Sequence, residues 1–335
     1  MRSIFSMSED RAYAKFCRLR WHENNGKPIC PECGCVDYWK LATPRKFGCK
    51  GCGKQFSVTT DTLFKSHKMS FRKMLEAIAV FTNGHLGVSA LRLTREINVS
   101  YKTAWVLAHK MREAMALDHF ADDDALDVVI EVDGAIIGGK PKRMEEGGDN
   151  WQGLRAAVKA EQLAKKRVIV VMREREDETR NRPARVRSYL VNKESDAVPI
   201  LRRLAQKGSV IHADEAKGYD PLHGFFDTKR INHSKSYSDG NACTNLAESF
   251  FSRIRRAERG VHNSMGRGYT SYYSREMAWR EENRRRSNGV QFVEILMNVL
   301  ASPVSRRMKG YWQRRSSDNI GDPDKADLIR ALKVA

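Results

Sequence analysis

Three acidic side chains, Asp133, Asp214 and Glu248, have the types and surroundings that metal-dependent chemistry on phosphodiesters would need. Asp133 ends the apolar run Val128-Val129-Ile130-Glu131-Val132-Asp133, and Asp214 ends a second, Ser209-Val210-Ile211-His212-Ala213-Asp214. Aspartate is disfavoured inside a strand and accepted where one ends, so both are expected at strand edges or tips. Glu248 lies within residues 244–256, where helical period puts Asn245, Glu248, Ser252 and Arg255 on one face. A helical glutamate by itself is ordinarily a solvated surface group. Two strand-borne aspartates alter that reading, because Mg2+ or Mn2+ prefers carboxylate oxygen. A pair of such ions about 3.5–4 Å apart activates the attacking oxygen and stabilises the leaving one in an in-line displacement. Carboxylates gathered that closely repel one another until a cation joins them.

A second constellation is made of sulfur. Cys30-Pro31-Glu32-Cys33-Gly34 and Cys49-Lys50-Gly51-Cys52-Gly53 form two C-x2-C pairs separated by 15 residues. Cys30, Cys33, Cys49 and Cys52 can thus surround one Zn2+ tetrahedrally, and the glycine after each pair lets the backbone turn toward sulfur. Disulfides and redox chemistry are the competing readings, both disfavoured in a reducing compartment. With four protein ligands the ion is closed to substrate and serves folding. Cys35 lies outside a set that is complete without it, and Cys17 reads as a small buried residue.

The rest of the chain must position these groups. At 335 residues and 41% hydrophobic content it has room for two or three domains with cores. A net charge of +19 calls for a polyanionic partner, nucleic acid first and an acidic membrane surface second. No run of 18 apolar residues and no signal-peptide core occurs, so the expectation is a soluble, cytoplasmic, nucleoid-associated protein. Residues 1–25 suggest a helix opened by a Ser6–Glu9 capping box, and residues 26–60 the zinc ribbon. Residues 68–118 read as helices, with Asn98-Val99-Ser100 between the last two. A helix, a three-residue turn and a helix is helix-turn-helix spacing, with Ser100 as cap and Tyr101, Lys102, Thr103, His109 and Lys110 facing DNA. An ordinary helical bundle is the alternative.

From residue 125 to 300 the pattern becomes α/β. Strands are expected at 127–132, 167–172, 184–191, 209–213 and 228–231, with a helix at 194–206 after the third. That order is the order of a ribonuclease H-like fold, whose first and fourth strands run side by side. The adjacency would bring Asp133 to Asp214, and Glu248 would arrive on the helix after the fifth strand.

These residues resemble a known family. The ribbon, Val99 to Trp105, Glu131-Val132-Asp133 with Ile137-Gly138-Gly139-Lys140, and Asp214 with Gly218-Tyr219 are similar to DDE-class insertion-sequence transposases with an N-terminal zinc ribbon, the bacterial group related to Merlin elements. Asn232-His233-Ser234, Thr244-Asn245 through Phe250, and Gly260-Val261-His262 continue the likeness. The resemblance implies that Asp133, Asp214 and Glu248, or Asn245 one turn away, hold catalytic Mg2+ or Mn2+. It implies cleavage of terminal inverted repeats in double-stranded DNA and joining of the 3′ ends to target DNA, by a homo-oligomer that pairs two ends. The chain departs from the family pattern at Arg255, where a lysine is usual, at Gly134, where an acid is usual, and at Cys243, where a histidine is usual.

Between Phe251 and Val290 ten arginines stand against four acids, interleaved with Tyr269, Tyr272, Tyr273 and Trp279. Arg253, Arg255, Arg256 and Arg280 are expected on phosphates and the aromatics on unpaired bases, with a solvated basic helix as the alternative. Lys140, in a Gly-rich insertion with Lys142 and Arg143, is a further candidate DNA contact. A zinc hydrolase built on His212, His223 and His233 lacks an H-x3-H pair. A rival of another class is a zinc-ribbon and helix-turn-helix regulator derived from a transposase that has lost catalysis, which leaves three placed acids unexplained. Residues 303–335 read as a tail.

Overall fold

Ser8 opens helix α1 (Glu9–Arg20), its hydroxyl accepting from the Arg11 amide at 3.4 Å. The cap was expected at Ser6, with Glu9 as its reciprocal partner. Glu9 instead accepts from the amides of Phe71 and Arg72 at 2.8 and 3.0 Å and pairs with Arg45, so it caps a different helix. The computed structural model describes residues 2–121, 126–137, 168–176, 183–231, 243–305, 307–308 and 310–311. Lys140, Lys142, Arg143, His233 and most of the expected tail lie outside these. Chain contacts group Met1–Ala121 with Asn283–Ile320 in one compact unit, and Asp122–Glu282 in another.

In the first unit, strands β1 (Tyr38–Lys40), β2 (Phe47–Cys49) and β3 (Gln55–Phe56) form an antiparallel ribbon. So small a sheet cannot bury much alone. Trp21 supplies its core, packing edge-on against Phe47 and Phe56 with ring centroids 6.0 and 6.4 Å away. Ser70, Ser89 and Ser100 then start α2 (Phe71–Asn83), α3 (Ala90–Ile97) and α4 (Tyr101–Ala121), each hydroxyl accepting from the amide three residues on. Asn98 ends α3 with φ +49°, a left-handed conformation that asparagine tolerates. Helix, three-residue turn and helix therefore occur where expected.

The second unit is mixed α/β. Strands β4 (Val129–Ile136), β5 (Val168–Glu174) and β6 (Val186–Val191) come first. A turn at Glu194–Asp196 and helix α5 (Ala197–Leu204) lead into β7 (Val210–Asp214) and β8 (Asp227–Ile231). Helices α6 (Asn245–Ala257) and α7 (Thr270–Glu282) close the unit. The sheet runs β6-β5-β4-β7-β8, antiparallel from β4 to β6 and parallel across β4, β7 and β8. The first strand and the fourth are thus neighbours. Every residue of β5 and β6 is buried, the charged Arg173, Glu174 and Arg187 included, with α6 against β4 and β5 and α7 against β6.

One expectation changes. Asp133 stands inside β4, opposite Val171 of β5, and not at a strand tip. The ladder to β7 does stop there, with Val132 opposite Ala213 as its last pair. Antiparallel pairing to the longer β5 carries β4 onward to Ile136, so Asp133 sits at the point where the parallel half of the sheet opens.

After α7 the chain returns to the first unit as α8 (Asn288–Ala301), packed on α1, α2 and α4 through Phe292, Ile295, Leu296, Val299 and Leu300. A continuous segment from 125 to 300 was expected; its last helix groups elsewhere because its apolar face covers the helices of residues 9–121. No helix among the described residues is long and apolar enough to cross a membrane.

Candidate active site

Parallel pairing sets the end of β4's ladder beside the end of β7, and this carries Asp133 to Asp214 across 80 intervening residues. Each carboxylate is aimed by a local hydrogen bond: Gly134 N donates to Asp133 Oδ1 at 2.7 Å, and Ala216 N to Asp214 Oδ1 at 2.9 Å. Arg230, on the neighbouring strand β8, secures the turn after Asp214. Its Nε donates to the Asp214 carbonyl at 2.6 Å and a terminal nitrogen to the Ala216 carbonyl at 2.8 Å.

Two further acids act on this pair. Burial first, then the charges of Asp214, Glu194 and Glu248, lift the Asp133 carboxyl to about 6 against the pull of the Gly134 amide. Glu194 is itself raised, by desolvation first and then by Asp214. Its side chain leans over Gly134 so closely that a Cβ there would lie 2.8 Å from Glu194 Oε1. Tyr219 is fully buried, its hydroxyl has no hydrogen-bond partner among the described residues, and burial followed by Glu194, Asp133 and Asp214 pushes it up. Glu194 and Tyr219 were not singled out as site residues. Glu194 lies in a turn with no pattern to mark it; Tyr219 stood in a quoted motif without a role.

The donor set fits hard divalent cations: Asp133, Asp214, Glu194 and Glu248 supply carboxylate oxygen, and the buried Tyr219 hydroxyl stands beside them. Among the described residues the carboxylates do not form a group of three mutually within 4.8 Å, as the four cysteines do. A shared metal pair does not require that. Ions about 3.5–4 Å apart with metal–oxygen bonds of about 2.1 Å allow outer ligands to stand about 8 Å from each other.

Helix α6 presents Glu248 half-buried in its first turn, while Asn245, Ser252, Arg255 and Arg256 are exposed. Ala247, Phe250, Phe251, Ile254 and Ala257 form its buried face. Arg255 lies over Phe251, 6.0 Å from the ring centroid, and Arg253 pairs with Glu281. Arg280 departs from expectation: it is buried and its guanidinium pairs with Glu276 at 2.8 Å. Tyr272, Tyr273 and Trp279 are likewise core residues, because Thr270 to Glu281 of α7 is buried on all sides. Stacking on bases is closed to them in this fold.

In the first unit Tyr101 and Lys102 are exposed and Thr103 half-buried, but His109 lies inside against Trp105, with ring centroids 4.4 Å apart. Cys30 and Cys52 sulfurs are 3.6 Å apart and those of Cys33 and Cys49 3.5 Å, a cluster suited to structural Zn2+. The Cys52 amide chiefly draws the Cys49 thiol down to about 6, toward the thiolate that zinc needs. Cys35 turns away to the Asp37 carbonyl at 3.7 Å. His212 hydrogen-bonds with Cys243 and Arg175, and His223 is exposed, so neither belongs to a metal cluster among the described residues.

Residues 7–55 match the family model described as a transposase zinc-ribbon domain, and residues 125–282 that of an ISXO2-like transposase domain. A protein of Halobacterium salinarum described as an uncharacterized protein in transposable element ISH50 is 26% identical over 299 residues, covering 88% of this chain and 98% of that protein. No solved structure matches the chain. The chain therefore carries, in this order, a transposase zinc-ribbon domain and an ISXO2-like transposase domain.

Proposed function

We propose that this transposase cleaves the terminal inverted repeats of its element and joins the 3′ ends to target DNA by metal-dependent phosphoryl transfer. The observation that carries the reading is the electrostatic convergence of Asp214 and Glu248 on Asp133 at the opening of the sheet. The order β6-β5-β4-β7-β8 supports a ribonuclease H-like fold for this unit. Asp133, Asp214 and Glu248, with Asn245 one turn away on α6, would hold Mg2+ or Mn2+. Such ions, when bound, activate the attacking oxygen and neutralise charge on the leaving one.

The chain's own groups orient the reaction. The Gly134 and Ala216 amides fix one oxygen of each aspartate, and Arg230 holds the Asp214 turn rigid. Arg255 and Arg256, exposed on α6, supply cations for phosphates at the processed end. In the first unit, Tyr101, Lys102 and Thr103 at the start of α4 would read double-stranded DNA as a helix-turn-helix does. Joining two element ends requires them to be paired, so the active form is a homo-oligomer.

Alanine at Asp133 or Asp214, in a chain that keeps its fold, is expected to abolish cleavage and strand transfer on terminal-repeat DNA. Retained activity in either would overturn the assignment. The same assay separates the regulator reading, for which no metal-dependent nicking would occur.

A further inference from the structure

Glu131 lies two residues before Asp133 on β4 and is fully buried. A buried carboxylate survives only when its charge is matched and its oxygens are hydrogen-bonded. Here Oε2 accepts from the amides of Leu246 and Ala247 at 2.8 and 3.3 Å, in the first turn of α6, where unpaired N–H groups and the helix dipole favour an anion. Oε1 accepts from Arg175 Nε at 3.0 Å. The same guanidinium reaches His212 Nδ1 at 3.2 Å and the Cys243 carbonyl at 3.3 Å, tying the residue that leads into α6 to the strand that carries Asp214.

Glu248 follows directly on the amides that Glu131 holds. Asp133 and Glu248 are 115 residues apart in the chain, yet the path between them through this contact is two residues of strand, two hydrogen bonds and one residue of helix. We infer that Glu131 is a positioning residue: by gripping the first turn of α6 it sets the separation of Glu248 from Asp133, with Arg175 holding the grip closed. The inference rests on the proposed carboxylate site.

The test is Mn2+ affinity of the zinc-loaded full chain, read by electron paramagnetic resonance, for wild type, Asp133→Ala, Glu131→Gln, Glu248→Ala and the Glu131→Gln/Glu248→Ala pair. Glu131→Gln is expected to weaken Mn2+ binding about tenfold, in the range found when partners behind metal ligands are removed. The pair should bind no worse than Glu248→Ala alone, because a mispositioned ligand and an absent one are the same loss. Wild-type affinity in Glu131→Gln, or losses that multiply in the pair, would overturn the inference while Asp133→Ala still abolishes binding. Wild-type affinity in Asp133→Ala would instead remove the carboxylate site itself. Should Glu131→Gln not fold, Arg175→Lys replaces it, since Arg175 is one third exposed and lysine keeps the charge without the planar fork. A several-fold loss that is absent in the Glu248→Ala background is expected, and no loss in Arg175→Lys counts against the grip.

Discussion

Arg230 donates through Nε to the main-chain carbonyl of Asp214 at 2.6 Å. The bond runs from the edge strand β8 to the last residue of β7, and a second bond from the same guanidinium holds Ala216, whose amide in turn aims the Asp214 carboxylate. Arg230→Ala is therefore expected to leave the sheet folded but let the turn relax. Metal affinity and strand transfer should each fall about tenfold, the scale on which removed supporting hydrogen bonds act. Titration of Mn2+ together with a strand-transfer assay checks this, and unchanged values for both would refute the role.

Gly134 is a second constraint. A methyl group there would meet Glu194 Cγ and Oε1, both at 2.8 Å, so Gly134→Ala must displace a flexible side chain. The expected cost is at the low end of overpacking, about 1 kcal/mol. Glu194→Ala in the same chain should recover most of it. Thermal melts of the two single variants and the pair test this, and a strictly additive loss would show that the strain is not against Glu194.

The pH response follows from Asp133. Its folded pKa, about 6, lies above the ordinary carboxylate value of 3.8, so the native state binds more protons than the unfolded chain between those limits. Metal-free protein should consequently gain stability as pH falls from 7 toward 4, by on the order of 2 kcal/mol at most. Asp133→Asn should lose much of that gain. Because divalent cation competes with the proton, saturating Mg2+ should flatten the trend. Unfolding in urea at pH 7 and pH 5, with and without Mg2+, measures it.

Zinc removal separates the ribbon cysteines from their neighbour. Cys52→Ser or a strong chelator should unfold the ribbon and expose Trp21, which packs on Phe47 and Phe56, with a red shift in tryptophan emission. Cys35→Ser should do neither, since its sulfur is turned to the Asp37 carbonyl.

The arginines of residues 253–286 divide into two classes with opposite phenotypes. Arg255→Ala, at an exposed position, should weaken DNA binding and reduce the salt slope by about one, leaving the melting temperature near wild type. Arg280→Ala breaks the buried ion pair with Glu276 and should cost about 3–5 kcal/mol of stability. Affinity at several salt concentrations and a thermal melt distinguish them.

Much of the site was legible because its signals are local. Apolar runs announced β4 and β7 within a few residues, and the aspartate closing each run singled out Asp133 and Asp214 as candidates. The C-x2-C spacing by itself describes the cluster that Cys30, Cys33, Cys49 and Cys52 form. Helical period correctly put Glu248, Ser252 and Arg255 away from the buried face of α6. Each of these depends on a handful of consecutive residues and on the periods of helix and strand.

Tertiary structure decided what depends on distant partners. Asp133 proved to lie within a strand because β5 outlasts β7 as its neighbour, a matter of relative strand length that no single stretch encodes. Arg280, Tyr272, Tyr273 and Trp279 carry the composition of a nucleic-acid surface, yet α7 is enclosed and they pack inside. Charge and aromaticity describe what a side chain can bind, and only packing decides whether water or protein surrounds it. Glu131, Glu194 and Tyr219 gained their places beside the aspartates from sheet pairing, helix docking and turns that the local pattern left unspecified.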